Sequence, residues 1–283
     1  MQKSIDPNTT LAYVHLTVSD FKRSLPFYQD VLGLQLNRRE YDTVYLGAGG
    51  KDILVLTENP SAKRAPRTTG LYHFAILVPS RFALAQSLKR IAEMQVPVHG
   101  FADHLVSEAI YLPDPDENGI EIYRDRPRNE WYDARGNLRM ATDPLDLDDL
   151  IRELDGRDEP WRGFDPETKL GHMHLHVAHI AAAEKFYVDV LGFDLMARYG
   201  PSASFTSAGG YHHHIAFNTW AGIGVPPPPP DSIGLREFVI RLPNVEALSQ
   251  VVDRVRQAGI DTEETDEGLL VRDPSRNGIV LAA

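Results

Sequence analysis

Histidine is the residue type in this chain with the clearest capacity for chemistry. Three histidines alternate with other residues in the stretch 171–176, and three more are consecutive at 212–214. Alternating residues of a β-strand point to one face, so His172, His174 and His176 would share one side of a sheet. Cysteine is absent from all 283 residues. A metal site must therefore use imidazole and carboxylate ligands, a set that suits iron, manganese, nickel or zinc.

Two more residues that could bind a metal, a histidine and a glutamate, lie in strongly apolar segments. His73 precedes the run Phe-Ala-Ile-Leu-Val, and Glu121 stands between Ile120 and Ile122. Taken alone, His73 is typical of a hydrogen-bonded core histidine. A lone buried carboxylate costs free energy unless it binds a metal or pairs with a cation. Glu121 is therefore a candidate metal ligand.

Composition excludes several classes of partner. The formal net charge of −11 and the pI near 5.4 argue against nucleic acid, because phosphate backbones require a basic surface. No apolar run approaches the ~20 residues that cross a bilayer. The polar segment 1–10 lacks the apolar core of a signal peptide. We expect a cytoplasmic protein without a membrane partner, either a monomer or a homo-oligomer.

The elements that would position these residues are duplicated. The motif Phe-Tyr-x-Asp-Val-Leu-Gly occurs at 27–33 and again at 186–192, and Asp-Pro-x-x-Asn-Gly-Ile occurs at 114–120 and at 273–279. Both pairs are separated by 159 positions. The two halves of the chain are therefore homologous.

Each half contains two similar repeats, and each repeat has the pattern of a strand, a helix and two or three further strands. In the first repeat, Asp20 is a candidate helix N-cap, and Gly33 is placed to end that helix. The four repeats cover residues 11–58, 70–123, 169–218 and 234–281.

Two segments outside the repeats have a distinctive composition. The polar stretch 126–167 separates the halves and contains one short amphipathic helix near 147–151. Residues 226–230 are consecutive prolines, which we interpret as a stiff polyproline spacer. A motif for a proline-recognising partner is the alternative interpretation.

The duplicated motifs resemble those of the vicinal oxygen chelate superfamily, which includes glyoxalases, fosfomycin-resistance proteins and extradiol dioxygenases. The resemblance implies an α+β fold, in which four βαβββ repeats pair into two open half-barrels and a metal is held by first and last strands. It also divides the chain into a first vicinal oxygen chelate domain at 1–125, a linker at 126–167 and a second such domain at 168–283.

The resemblance implies a ligand set as well. His73 and Glu121 occupy the opening-strand and closing-strand ligand positions of the second repeat, and His172 occupies the opening position of the third. These residues imply one metal centre, built from the two middle repeats. Two imidazoles and one carboxylate leave positions open for substrate and dioxygen on Fe(II) or Mn(II). The outer repeats are less suited to a metal, with Tyr13, Glu237 and Val280 at the corresponding positions.

Two segments resemble extradiol dioxygenases in particular. His104 lies in the motif Asp-His-x-Val-Ser, which is followed by Tyr111; in those enzymes this histidine and tyrosine line the catechol pocket. Residues 211–217 resemble the segment that carries the acid–base histidine, which assigns that role to His213. Because neighbouring residues of a strand face opposite ways, a shift of one position would move the role to His214.

The leading hypothesis is an Fe(II)-dependent extradiol dioxygenase that cleaves the ring of a catechol-type aromatic with dioxygen as co-substrate. His213 or His214 would exchange protons with the substrate, His104 and Tyr111 would hydrogen-bond its anionic oxygens, and the candidates for the rim of the pocket are Trp220 and Phe217. Two alternatives remain within the superfamily. One is a glyoxalase-like isomerase, lyase or thiol transferase, which usually adds a second carboxylate ligand. The other is a non-catalytic binder that has lost its ligands.

Overall fold

The computed structural model describes residues 4–157 and 159–283, and its strands form two eight-stranded sheets. The first eight strands are β1 (Thr10–Val18), β2 (Gln35–Glu40), β3 (Thr43–Ala48), β4 (Lys51–Glu58), β5 (Gly70–Leu77), β6 (Gly100–Asp103), β7 (Ser107–Pro113) and β8 (Gly119–Asp125). The other eight are β9 (Lys169–His176), β10 (Asp194–Tyr199), β11 (Ala203–Ser207), β12 (Ile215–Asn218), β13 (Gly234–Arg241), β14 (Thr262–Thr265), β15 (Gly268–Arg272) and β16 (Gly278–Ala282).

The helices are short and connect the strands. They are α1 (Phe21–Pro26), α2 (Arg81–Glu93), α3 (Leu147–Arg152), α4 (Ile180–Glu184) and α5 (Val245–Gln257). One turn of π-helix follows α1 at Phe27–Val31 and another follows α4 at Lys185–Val190, and a 3₁₀ turn covers Arg128–Glu130. Within the described ranges, no helix has the length and apolar character that crossing a membrane requires.

The order of strands shows how the repeats combine. One sheet runs β14-β15-β16-β13-β1-β4-β3-β2, and the other runs β10-β11-β12-β9-β5-β8-β7-β6. The first repeat therefore shares a sheet with the fourth, and the second shares a sheet with the third. The predicted α+β fold of paired βαβββ repeats is confirmed.

The chain divides into two compact units, and within each unit the backbone is closely packed. One unit comprises Met1–Thr17, Ser61–Tyr72 and Gly171–Ala283, and the other comprises Val18–Pro60 and His73–Leu170. The boundaries that the sequence suggested, at 1–125, 126–167 and 168–283, remain predictions.

In the second compact unit, α1 begins where the sequence predicts, and the π-turn that follows it ends beside Gly33, the predicted end of the helix. The Asp20 carboxylate accepts a hydrogen bond of 2.7 Å from the backbone N–H of Lys22, which satisfies one of the helix's free donors. Gly33 has φ +83°, a left-handed conformation that glycine adopts without strain. A Cβ at Gly33 would also lie 2.4 Å from the Cα of Gly163, so no larger residue fits there.

The duplicated Asp-Pro motif has a structural role in this unit. The Asp114 carboxylate accepts hydrogen bonds from the backbone N–H groups of Asp116 and Asn118, each 2.8 Å long, and from the Tyr28 hydroxyl at 2.8 Å. Burial raises the pKa of Asp114, although these hydrogen bonds favour the ionised form. The motif thus fixes the turn that leads into β8, the strand that carries Glu121.

The first compact unit repeats this arrangement. The Asp273 carboxylate accepts hydrogen bonds from the backbone N–H groups of Ser275 and Asn277, at 2.8 and 2.9 Å, and from the Tyr187 hydroxyl at 3.1 Å. Burial raises the pKa of Asp273 as well. The motifs that recur after 159 residues therefore form the same contact twice. In each half, the tyrosine of the Phe-Tyr motif hydrogen-bonds the aspartate of the Asp-Pro turn.

A buried carboxylate surrounded by arginines stabilises the second compact unit. The Glu108 side chain on β7 contacts the guanidinium groups of Arg81, Arg124 and Arg126 at 2.9, 2.6 and 3.2 Å. Arg81 also pairs with Asp149 of α3 at 2.8 Å. The segment between the sequence halves is thereby attached to a strand and to helix α2.

Substituting Glu108→Gln is expected to destabilise the protein by about 3–5 kcal/mol, because three guanidinium groups lose the charge that compensates their burial. Urea denaturation of wild type and variant measures the change. Glu153→Gln is the matched control, since Glu153 also contacts Arg81, at 3.2 Å, but is about a third exposed, whereas Glu108 is buried. Its cost should stay near or below about 1 kcal/mol. Equal effects in the two variants would contradict the prediction.

Candidate metal centre

His73 and Glu121 lie close together on neighbouring strands. β5 and β8 are parallel, with Ala75 opposite Glu121, and the Nε2 atom of His73 lies 3.0 Å from the Oε2 atom of Glu121. Both side chains are buried. Ile120 and Ile122 are buried as well, and strand alternation directs them to the face opposite Glu121.

His172 on β9 completes a set of three. One ligand atom from each of His73, Glu121 and His172 lies within 4.8 Å of the others, and all three residues are buried. Ligands of a divalent ion lie ~2.0–2.2 Å from it, so ligand atoms of one site are separated by up to roughly twice that distance. The triad could therefore bind a metal, and its two imidazoles and one carboxylate fit iron, manganese, nickel or zinc.

His104 and Tyr111 form a hydrogen-bonded pair beside this set. The Nε2 atom of His104 lies 2.7 Å from the Tyr111 hydroxyl, and its Nδ1 atom lies 2.7 Å from the carbonyl oxygen of Ala141. A carbonyl only accepts, so Nδ1 carries the proton and Nε2 of the neutral ring accepts from the tyrosine hydroxyl. The Tyr111 ring lies 5.5 Å from the His73 ring. Both pocket residues that the sequence suggested thus lie near a candidate ligand.

The contribution of Ala141 could not be read from the sequence. Ala141 belongs to the polar segment between the halves, which the sequence identified only as a linker. It acts through its backbone carbonyl, so its side chain carries no signal of the role. Neighbouring Asp143 pairs with Asp103 through two backbone hydrogen bonds of 2.9 Å, which holds this part of the segment against the loop of His104.

His213 and His214 have different surroundings. The His213 ring lies 4.1 Å from the His172 ring and 5.2 Å from the Phe205 ring. The Nδ1 atom of His214 instead lies 2.9 Å from the Ser207 hydroxyl and accepts from the backbone N–H of Ala208 at 3.2 Å. Of the two candidates, His213 is therefore the one in contact with a candidate ligand.

The strand that was expected at residues 211–217 begins only at Ile215. Residues 211–214 form an irregular loop, so alternation does not separate neighbouring histidines as the sequence interpretation assumed. The Nδ1 atoms of His212 and His213 lie 2.9 Å apart, and His212 is fully buried. The sequence analysis gave His212 no role of its own.

Comparison with known proteins places the chain among its relatives. A family model described as the Glyoxalase/Bleomycin resistance protein/Dioxygenase superfamily matches residues 10–122 and 169–281. The chain belongs to this superfamily. Catechol-2,3-dioxygenase of Bacillus subtilis (strain 168) is 46% identical to it over 276 residues, covering 96% of each chain.

Two solved structures share the fold. A proposed dioxygenase from Bacillus subtilis subsp. subtilis str. 168 superposes with a TM-score of 0.65 at 16% identity, covering 99% of this chain and 86% of that one. Glyoxalase I from Zea mays superposes with a TM-score of 0.59 at 14% identity, covering 97% and 92%.

The outer repeats of this superfamily member hold an ion pair and an apolar cluster at the ligand positions. The Oε1 atom of Glu237 lies 2.6 Å from the Nδ1 atom of His15 on β1, so the carboxylate of Glu237 is paired with a histidine. Val280 packs with Val239 and Tyr13 in a buried apolar cluster. No set of three metal-ligating groups was found there among the described residues.

The pair between Glu237 and His15 predicts a pH dependence of stability. Burial opposes ionisation of Glu237, but the hydrogen bond and charge of His15 outweigh it and lower the pKa of Glu237 from its ordinary value of 4.5. A carboxyl whose pKa is lower in the folded state than in the unfolded state stabilises the fold at pH values above its unfolded-state pKa. This stabilisation is lost as the pH falls through the folded-state pKa. Near pH 6, Glu237→Gln should therefore cost about 1–2 kcal/mol.

Urea denaturation at a series of pH values measures this effect. The gap in unfolding free energy between wild type and Glu237→Gln should narrow as the pH falls below 4.5, the ordinary pKa of a glutamate. Glu246→Gln, an exposed position at the start of α5, is the control and should track the wild type. A gap that stays constant over this range would show that the charge of Glu237 does not contribute.

Proposed function

We propose that this protein is an Fe(II)-dependent extradiol dioxygenase that cleaves the ring of a catechol-type aromatic diol. The observation that carries the proposal is the buried set of His73, Glu121 and His172, whose ligand atoms lie within 4.8 Å of one another. The chain is 46% identical to a catechol-2,3-dioxygenase over 96% of each chain, and this identity supports its assignment as an extradiol dioxygenase. The iron and the catechol are the proposed parts of the assignment, and Mn(II) accepts the same ligands.

The triad and the histidine beside it would have different roles in the reaction. His73, Glu121 and His172 would hold the metal, which supplies Lewis acidity that favours the ionised diol, and an open position for dioxygen. His213, in ring contact with His172, would accept a proton from a substrate hydroxyl and later return it.

The pair of Tyr111 and His104 would stabilise charge on the substrate. The tyrosine hydroxyl is within hydrogen-bonding distance of His104, and this ring is itself fixed by the carbonyl of Ala141. When the diol binds, the Tyr111 O–H would turn from Nε2 of His104 to the negatively charged diol oxygen, which is the stronger acceptor. Because the hydroxyl is already held in place, this change would cost little reorganisation. Burial of the triad also excludes water, which strengthens each of these electrostatic interactions.

Anaerobic purification, metal analysis and a substrate panel test the proposal. We expect about one iron per chain, together with dioxygen uptake and a yellow ring-cleavage product from one or more catechols. The hemithioacetal of a glyoxal and glutathione is included as the substrate of the alternative isomerase. Iron-loaded protein that cleaves no member of a broad catechol panel, or that converts the hemithioacetal instead, would overturn the assignment.

A further inference from the structure

Four rings form a cluster that the proposed chemistry does not use. Tyr72 packs against His174, His176 and Trp220, with ring centroids 4.9, 5.1 and 5.1 Å away. His174 and Trp220 are 5.4 Å apart. We call these four residues the aromatic cluster. Tyr72 and Trp220 keep 39% and 47% of their surface exposed, so the cluster is accessible from solvent.

Asn218 holds the inner part of the aromatic cluster. Its Oδ1 atom accepts a hydrogen bond of 2.9 Å from the backbone N–H of Trp220, a group that can only donate. This fixes the orientation of the amide, so Nδ2 faces Nε2 of His174 at 2.9 Å, and Oδ1 also accepts from Nδ1 of His176 at 2.8 Å. Asn218 is fully buried, and it therefore sets both ring orientations from within the core.

The aromatic cluster continues from the candidate metal ligand along one strand face. His174 and His176 lie two and four residues beyond His172 on β9, and alternate residues of a strand share a face. A second connection runs through ring contacts: Phe205 lies 5.9 Å from His174 and 5.2 Å from His213. The rings therefore form a surface that starts beside the candidate metal ligand and ends at exposed Tyr72 and Trp220.

The geometry of the rings indicates what they bind. Tyr72 meets His174 and Trp220 nearly edge to face, at 81° and 84°, so the rings fill the space between themselves instead of enclosing a cage for a cation. The exposed surface of the aromatic cluster consists of ring faces and edges, which pair favourably with another flat ring. A partly exposed aromatic surface next to a polar centre is also typical of a ligand site.

We propose that the aromatic cluster is a subsite for a flat, uncharged aryl substituent on the substrate, with Trp220 and Tyr72 as its specificity-determining residues. The substrate class is then an aryl-substituted diol instead of an unsubstituted catechol. This inference rests on the proposed function for the identity of the diol, and on the ring contacts for the substituent.

Turnover and binding test the subsite separately. Wild type should have a kcat/KM for ortho-phenylcatechol about tenfold above that for catechol, and Trp220→Leu should remove most of that preference. Tyr72→Leu should reduce it less. Calorimetry with ortho-phenylphenol, which has one hydroxyl, should give a Kd about tenfold higher in Trp220→Leu than in wild type.

Tyr199→Leu is the matched control, because Tyr199 is an exposed aromatic at the end of β10 and lies outside the cluster. It should keep both the turnover ratio and the Kd of wild type. Thermal unfolding of each variant separates a lost subsite from a lost fold.

Three results would overturn the subsite. They are no preference in wild type, a preference that survives in Trp220→Leu, and a Trp220-dependent preference for a catechol with an aminoethyl chain, which would indicate a cation site. If no diol is cleaved at all, the proposed function fails. Calorimetry then decides the subsite: binding of ortho-phenylphenol that depends on Trp220 supports it, and absence of such binding overturns it.

Discussion

Glu121→Gln is expected to release the metal and to lower kcat/KM for ring cleavage by about a thousandfold or more, equivalent to about 4 kcal/mol of transition-state stabilisation. The Glu121 carboxylate lies 3.0 Å from Nε2 of His73 and is the acidic member of the triad. A neutral amide of nearly the same shape is a weaker ligand for a divalent ion and no longer balances its charge. The substitution therefore removes binding of the metal with little change in packing.

Metal analysis and stability measure the effect of Glu121→Gln independently of turnover. A chelator should lower the Tm of wild type, since a ligand that binds only the folded state stabilises it by mass action, and should leave the Tm of the variant unchanged. Glu117→Gln is the control, because Glu117 is an exposed carboxylate in the turn that precedes β8. Full metal occupancy in Glu121→Gln would show that the metal is held elsewhere.

The second large effect is expected at His213. His213→Gln should retain the metal and lower kcat by about 100- to 10,000-fold, the range of a positioned acid–base group, because the ring beside His172 is replaced by an amide that does not exchange protons near neutral pH. KM should change less than kcat, since the metal and not His213 would anchor the diol.

His214→Gln provides the comparison, since this ring is held by Ser207 and Ala208. Its principal expected effect is on stability, through the lost hydrogen bonds, at about 1 kcal/mol each. A larger loss of kcat in His214→Gln than in His213→Gln would reverse the assignment. Loss of bound metal in His213→Gln would instead show that this residue supports the ligands.

Much of the candidate site could be predicted from the resemblance to the vicinal oxygen chelate superfamily. The resemblance implied His73 and His172 as opening-strand ligands and Glu121 as a closing-strand ligand, and the structure brings their ligand atoms within 4.8 Å of one another. Their roles as ligands remain a prediction. Strand-level patterns succeed here because position in a strand fixes the direction of a side chain.

The features that the sequence did not reveal depend on contacts that no local pattern encodes. The carbonyl of Ala141 orients His104, but any residue type supplies a carbonyl. Phe217, a candidate for the pocket rim, is fully buried and stacks on Tyr187 at 5.2 Å, so that expectation is wrong. Side chains alternate between the two faces of β12, so Phe217 and Asn218 lie on opposite faces. Asn218 is the one that contacts the aromatic cluster.

The pairing of repeats has a consequence for biosynthesis. All strands of the sheet that carries the triad lie between residues 70 and 218. In the other sheet, β1 pairs with β13 through contacts such as Thr10 with Arg241. During translation, at ~5–20 residues per second, the triad-bearing sheet has all its strands before β13 is made. Strands β1 to β4 can pair with one another by then, but the edge of β1 that pairs with β13 still lacks its partner. At that rate, roughly 10–45 seconds separate the synthesis of β1 from that of β13. An unpaired strand edge can pair with another chain, so this edge of β1 is prone to aggregation during synthesis.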